Sequence, residues 1–83
     1  PNPFNPRTGV SFDLTAPGPV RVTVHDLRGR LVCELLDGRL PAGSHDVTWE
    51  GRDAVGRAVA AGTYVCRLEA TGRKESRKLT LVD

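Results

Sequence analysis

The sequence predicts an all-β fold, a sandwich of six or seven short strands joined by Greek-key connections. Apolar residues alternate with polar ones in one run after another, and no stretch keeps helical i, i+3, i+4 spacing for three turns. Turn residues separate the runs, and the chain supplies them with nine glycines and six prolines. Short alternating runs with turn signals between them are typical of an antiparallel β-sandwich.

Each predicted strand places apolar side chains at every second position, so one face is buried and the other meets water. In chain order the runs cover residues 10–14, 20–25, 31–35, 45–50, 64–69 and 79–81. The longest connection, residues 50–62, has room for one further short strand near residues 57–60. With that strand the sandwich would have about seven short antiparallel strands.

The remaining connections carry the chemistry of tight turns. Residues 16–19 read APGP, and residues 26–30 read DLRGR, which places Gly29 where a short hairpin needs a positive φ. Residues 37–43, DGRLPAG, and residues 71–76, TGRKES, are also predicted to be connections.

Length and composition bound the size of the fold. Eighty-three residues make one domain, so residues 1–83 are predicted to form a single module with residues 1–7 as a proline-rich extended entry arm. Aromatic residues make up 5% of the chain and Met is absent. The core must therefore be built from Val, Leu and Ala around Phe12, Trp49 and Tyr64. Because the chain starts at Pro1 and shows no signal peptide, we expect a mature or excised module.

The charge pattern argues against a nucleic-acid partner. The net charge is +2, with acids and bases interleaved, and no apolar run approaches the roughly 18 residues that cross a bilayer. The basic stretch RKESRK, residues 73–78, is interpreted as a solvated turn and edge-strand face. A patch for phosphate or an anionic glycan is the alternative.

The sequence contains no recognisable catalytic or cofactor-binding set. The two histidines lie in separate predicted strands, no serine stands in a nucleophile elbow, and there is no glycine-rich phosphate loop. Asp46, Glu50 and Asp53 flank one end of the module, but their spacing matches no calcium-loop pattern. We therefore expect no enzyme activity, no cofactor and no metal.

A set of motifs along the whole chain resembles a known family. PNPFNPRTGVSFDL followed by VRVTVHDLRGRLV, then AGSHDVTWEGRDAVGRAVAAGTYVCRLEATG and a closing RKLTLVD, resemble the immunoglobulin-like domain of the flagellar hook-capping protein family. They equally resemble the C-terminal sorting domains of secreted bacterial proteins, including type IX secretion cargo. The resemblance implies an immunoglobulin-like β-sandwich in an exported protein.

The resemblance also implies which residues specify the fold. They are Asp26, Gly29, His45, Trp49, Gly51, Asp53, Gly56, Gly62 and Tyr64. Asp26 and Asp53 each precede a glycine by three residues and can accept backbone N–H bonds across the turn. His45 is interpreted as a hydrogen-bonded structural histidine rather than a metal ligand or base. Tyr64, two residues before Cys66, resembles the tyrosine corner of immunoglobulin domains.

Cys33 and Cys66 both fall at inward positions of their predicted strands. Because an extracytoplasmic location favours oxidation, an intramolecular disulfide is the preferred expectation. Two buried free thiols and an intermolecular bond remain as alternatives.

The predicted function is that of a non-catalytic, secreted or cell-surface module with protein partners. The leading hypothesis is a sorting or attachment domain recognised by export machinery. The alternative is a self-assembling subunit of a fibre or hook-like cap, in which Pro3, Phe4 and Pro6 of the arm dock on a neighbouring sheet edge or homo-oligomer partner. A carbohydrate-binding module is a third hypothesis. It would require exposed aromatic residues on one face, for which the chain offers Trp49, Tyr64, Phe4 and Phe12, and Phe4 is the one expected to be exposed.

Overall fold

The computed structural model describes residues 8–82, and in that range the chain forms six strands and no helix. The strands are β1 (Thr8–Leu14), β2 (Gly18–His25), β3 (Leu31–Leu40), β4 (Gly43–Trp49), β5 (Gly62–Ala70) and β6 (Arg73–Leu81). All strand pairs are antiparallel. The predicted all-β fold class is therefore confirmed, and it is consistent with an immunoglobulin-like sandwich. Residues 8–82 include no helix long and apolar enough to cross a membrane.

The strands form two sheets. β1 pairs with β4 in a two-stranded sheet, and the second sheet has four strands in the order β3-β2-β5-β6. The small sheet covers the large one, with β1 close to β6 and β4 close to β3 at the two margins. At one margin the guanidinium of Arg77, on β6, donates to the backbone carbonyl of Ser11 on β1. This contact ties the two sheets together where no ladder joins them.

The core lies between the sheets and follows the alternation of the sequence. Its buried members are Val10, Phe12, Leu14, Val20, Val22, Val24, Cys33, Trp49, Tyr64, Cys66, Leu68, Leu79 and Leu81. Trp49 is the largest fully buried side chain, with 1% of its surface exposed. The expected valines and leucines surround Phe12, Trp49 and Tyr64, but the expected alanines do not: among residues 8–82 no alanine is fully buried, and Ala70 only packs against the core from its margin.

Two predicted connections are instead parts of strands. β3 continues to Leu40, through residues 37–40 of the predicted turn, and only Pro41 and Ala42 separate it from β4. Register shifts between Val22 and Thr23, and between Val24 and His25, place extra residues in β3. Such bulges break the two-residue alternation, which is why the sequence pattern predicts a strand that ends at residue 35.

The final hairpin also differs from the prediction. β5 and β6 are joined by Thr71 and Gly72 alone, with φ of 47° and 78°. Positive φ at both central residues is the geometry of a type I′ turn, which matches the twist of the flanking strands. The basic stretch of residues 73–78 therefore lies on β6. Lys74 contacts Glu69 at 3.6 Å and Arg77 contacts Glu75 at 3.3 Å, so two of its cations face carboxylates.

The predicted seventh strand near residues 57–60 is not formed in the described chain. That region contains one isolated bridge, between Arg52 and Ala58. The long connection is organised by side-chain capping, described below, rather than by a ladder.

The disulfide expected between Cys33 and Cys66 is not formed. Both residues are free, buried thiols, and both pair with Val24, Cys33 from β3 and Cys66 from β5. Two strand spacings of about 4.8 Å place their Cα atoms roughly 10 Å apart, whereas a disulfide needs about 4.4–6.8 Å. Burial is the first cause that raises the pKa of each thiol. The two cysteines therefore fill the core as small apolar residues.

Candidate functional site: two matching loops at one end of the sandwich

The connection between β2 and β3 is organised by one carboxylate. Oδ1 of Asp26 accepts the backbone N–H groups of Arg28 and Arg30, both at 2.9 Å, and Oδ2 accepts Nε of Arg30 at 3.1 Å. The backbone N–H of Gly29 donates to the carbonyl of Asp26 at 3.0 Å, and that of Asp26 donates to the carbonyl of Arg30 at 3.0 Å. Gly29 has a φ of 86°, which a residue with a Cβ adopts only with strain.

The long connection between β4 and β5 contains the same structure. Oδ1 of Asp53 accepts the backbone N–H groups of Val55 and Arg57 at 3.1 and 2.9 Å, and Oδ2 accepts Nε of Arg57 at 3.1 Å. The two backbone hydrogen bonds recur as well, at 3.0 Å from Gly56 to Asp53 and 2.9 Å from Asp53 to Arg57. Gly56 has a φ of 89°.

Residues 26–30 and 53–57 are thus one five-residue motif, Asp-x-x-Gly-Arg, built twice; we call them the twin loops. The aspartate and glycine of each loop are predicted from the sequence one loop at a time, but the repeat is not. The signal was present in the shared spacing DLRGR and DAVGR. Five residues with three identities are too short to stand out as an internal repeat.

The twin loops lie at the same end of the sandwich, which we call the loop end. β2 finishes there and β3 starts there, while β4 finishes and β5 starts there too. The backbone N–H of Ala54, in the second loop, donates to the carbonyl of Val32 at 3.1 Å, just beyond the first loop. This hydrogen bond joins the loops and covers part of the free edge of β3.

The second loop is also fastened to the core. The indole Nε1 of Trp49 donates to the carbonyl of Arg52 at 2.9 Å, and Nη1 of Arg52 donates to the carbonyl of Gly56 at 2.8 Å. The N–H of Val59 donates to the carbonyl of Gly51, which has a φ of 73°. Gly62, the first residue of β5, ends the connection with a φ of 149°.

The carboxylates of the twin loops are held in their charged form. The pKa of Asp26 is lowered, first by the backbone hydrogen bond from Arg30, and the pKa of Asp53 is lowered, first by the backbone hydrogen bond from Arg57. Hydrogen bonds that favour the anion have this effect on a carboxyl group. Each aspartate therefore caps its own loop and is ionised at neutral pH, so it has no proton to donate as a general acid.

A depression of about 470 Å³ lies between the twin loops. Its walls are Asp26 and Arg30 on one side and Asp53 and Arg57 on the other. Its apolar lining is formed by Leu31, Val32, Ala54, Val55 and Val59. Leu31 and Val55 are both exposed.

His45 and the aromatic residues Phe12, Trp49 and Tyr64 do not line the depression between the twin loops. His45, on β4, donates from Nε2 to the carbonyl of Pro41 at 2.8 Å and packs beside the ring of Phe12, with centroids 5.6 Å apart. Phe12, Trp49 and Tyr64 are buried. The stacking platform that a carbohydrate-binding module would need from Trp49 is therefore not available.

The acidic residues considered for a metal do not converge. Within residues 8–82, no group of three or more histidine, cysteine, aspartate or glutamate side chains could hold a metal ion. Asp46 accepts a hydrogen bond from Ser11 on β1, and Asp53 caps its own loop. Pro3, Phe4 and Pro6, the predicted docking residues of the entry arm, lie outside the described residues.

Comparison with known proteins gives a family. The model of the FlgD Ig-like domain matches residues 4–74. A crystal structure of FlgD from P. aeruginosa superposes with a TM-score of 0.71 at 26% identity, over 90% of this chain and 60% of that one. The chain thus spans about three fifths of the FlgD it matches, and no curated protein sequence matches it. Neither match supports a type IX sorting domain. With most of its length matched by the family model and its sandwich shared with FlgD, the chain belongs to the FlgD Ig-like domain family.

Proposed function

We propose that this chain is a non-catalytic assembly module of an exported, flagellum-associated protein of the hook-capping kind. The observation that carries the proposal is the match of residues 4–74 to the FlgD Ig-like domain, supported by the shared fold. It favours the assembly hypothesis over the sorting hypothesis, which has no support beyond the motifs of the sequence.

The architecture suits a structural role. Its buried side chains are committed to packing, its loop carboxylates to capping, and its cysteines to the core. The exposed surface is therefore the part of the module that is available to bind partners. In rigid β-sandwiches, the loops at the ends commonly make such protein contacts.

Excision of the module from its parent protein in the source bacterium tests the proposal. We expect flagellar hooks to be absent or irregular by electron microscopy, while the truncated parent is still exported. Replacement of the module with the Ig-like domain of P. aeruginosa FlgD is the matched control, and it should restore hooks at least in part.

Normal hooks together with loss of the truncated parent from the cell surface would contradict the proposal and reinstate the sorting hypothesis. Normal hooks with normal export would contradict both.

A further inference from the structure

We propose that the depression between the twin loops is a docking site for a segment of a partner protein subunit that carries an apolar side chain next to carboxylates. This inference deepens the proposed function and rests on it only in taking the partner to be a protein subunit.

The exposed apolar side chains of the described chain are concentrated at the loop end. Among residues 8–82, the large exposed hydrophobic residues are Leu27, Leu31, Val55 and Val82. Leu27 and Val55 lie in the twin loops, and Leu31 begins β3 beside the first loop. Val82 follows β6, whose last residue pairs with Gly62 at this same end. Of these four, Leu31 and Val55 line the depression together, and adjoining exposed apolar side chains of this kind mark a candidate interaction site.

Apolar exposure in the loops is not needed for the loop fold itself. Leu27 is 71% exposed and Val55 is 74% exposed, so neither side chain adds appreciably to the core. Every hydrogen bond of the motif comes from the aspartate, the arginine or the backbone. A polar residue at either position would satisfy the same turn, so these two apolar side chains are free to contact a partner.

Arginines on both sides of the depression select the charge of the partner. Arg30 and Arg57 bond to their aspartates through Nε, at 3.1 Å in both loops, and their side chains are 73% and 79% exposed. Within residues 8–82, no acceptor bonds to the Nη groups of either guanidinium. These groups present N–H donors in a planar array that fits a carboxylate.

The local charge favours an acidic partner over a basic one. In the twin loops and the short link before the second loop, the arginines at positions 28, 30, 52 and 57 outnumber the acids at positions 26, 50 and 53. The two capping carboxylates each already accept hydrogen bonds from three N–H groups, so they offer little to an incoming cation. A carboxylate can therefore approach Arg30 or Arg57 while an adjacent apolar side chain contacts Leu31 and Val55.

Peptide titration of the 83-residue chain, followed through its backbone amide signals by NMR, tests this site. The probe is a peptide with Glu-Leu-Asp at its centre between glycine–serine flanks. Matched probes carry Lys-Leu-Lys, which reverses the charge, and Glu-Ser-Asp, which removes the apolar side chain. We expect only the first to shift the amides of residues 26–32 and 53–59, with a dissociation constant on the order of 1 mM or below.

Variants at exposed positions identify the surface without touching the caps. Val55→Asp places a like charge in the path of the peptide and should weaken binding at least roughly fivefold through repulsion of its carboxylates. Ala16→Asp adds the same charge in the exposed β1–β2 connection, at the opposite end, and should change binding less than about twofold. Unchanged amide spectra outside the substituted loop establish that both variants are folded.

Three results would overturn the docking site. They are absence of shifts with the Glu-Leu-Asp peptide up to its solubility limit, equal shifts with the Lys-Leu-Lys peptide, and equal binding by Val55→Asp and the parent chain. Shifts of the same amides on concentrating the chain without peptide would also overturn it, since the occupant would then be a second copy. Any of these can occur while excision of the module still abolishes hooks, so the assembly function would stand.

Discussion

The rings of Trp49 and Tyr64 meet edge to face in the core, with centroids 4.8 Å apart and planes at 74°. Each ring also uses its polar atom to hold the long connection between β4 and β5. The indole of Trp49 donates to the carbonyl of Arg52, and the hydroxyl of Tyr64 donates to the carbonyl of Ala60 at 2.6 Å, four residues upstream. The latter is the arrangement of a tyrosine corner. One aromatic pair thus anchors both ends of the segment that contains the second twin loop.

Tyr64→Phe isolates the hydrogen bond of this corner from the packing of the ring. We expect a loss of about 1–2 kcal/mol in the free energy of unfolding, because the carbonyl of Ala60 loses its partner. Tyr64→Ala should cost about 3–5 kcal/mol, since it removes the ring as well. Urea unfolding followed by Trp49 fluorescence measures both, and an unchanged midpoint for Tyr64→Phe would show that water replaces the hydroxyl at no cost.

The twin loops make stability depend on pH in the acid range. The lowered pKa values of Asp26 and Asp53 mean that each carboxylate stabilises the folded state above its unfolded pKa of about 4. That stabilisation is lost as the pH falls through the lower folded-state pKa. We expect the urea midpoint of the parent chain to fall more steeply below pH 4 than that of the double variant Asp26→Asn, Asp53→Asn.

The control for this experiment is Asp37→Asn, on β3, whose carboxylate accepts none of the hydrogen bonds of the twin loops. Its pH profile should follow that of the parent chain. Parallel profiles for the parent and the double variant would show that the caps contribute nothing to the acid transition.

The backbone of the twin loops needs glycine for conformation, not for space. A Cβ at position 56 would meet nothing within 4 Å, yet the φ of +89° at Gly56 strains any residue with a side chain. Gly56→Ala should therefore cost about 1–2 kcal/mol, and Gly29→Ala should cost a similar amount. Gly38→Ala is the matched control, because that position on β3 also has open space but no positive φ. We expect it to be neutral or slightly stabilising, and equal losses at positions 38 and 56 would refute the backbone explanation.

The thiols of the two cysteines should be unreactive in the folded domain. Because both are buried and their pKa values are raised by burial, we expect neither thiol to react with dithionitrobenzoate within minutes at pH 8. Both should react after unfolding in guanidinium chloride. If chain purified without reductant has thiols that remain unreactive even after unfolding, those thiols are oxidised. That result would contradict the separation of Cys33 and Cys66 across Val24.

Some parts of the fold were predictable because they depend on local pattern. The buried face of β2 shows this, since Val20, Val22 and Val24 alternate with polar residues and all three are in the core. The left-handed step at Gly29 was predictable for the same reason, because the Asp-x-x-Gly spacing determines where the turn must reverse.

Other features depend on the pairing of distant residues. β3 extends beyond its alternating residues because two bulges in it let the strand keep its pairing with β2. No pattern within β3 predicts these bulges. The cysteines share an inward parity, which allowed a disulfide. Only the strand order β3-β2-β5-β6, with Val24 between them, keeps them apart.

The sequence by itself determined the fold class, most of the core and the capping chemistry of the twin loops, because these follow from side-chain period and backbone preference over a few residues. The tertiary structure decided that two similar turns, 27 residues apart, lie side by side with exposed leucine and valine between their arginines. That juxtaposition depends on antiparallel pairing across the sheets, which brings together residues that no local pattern connects.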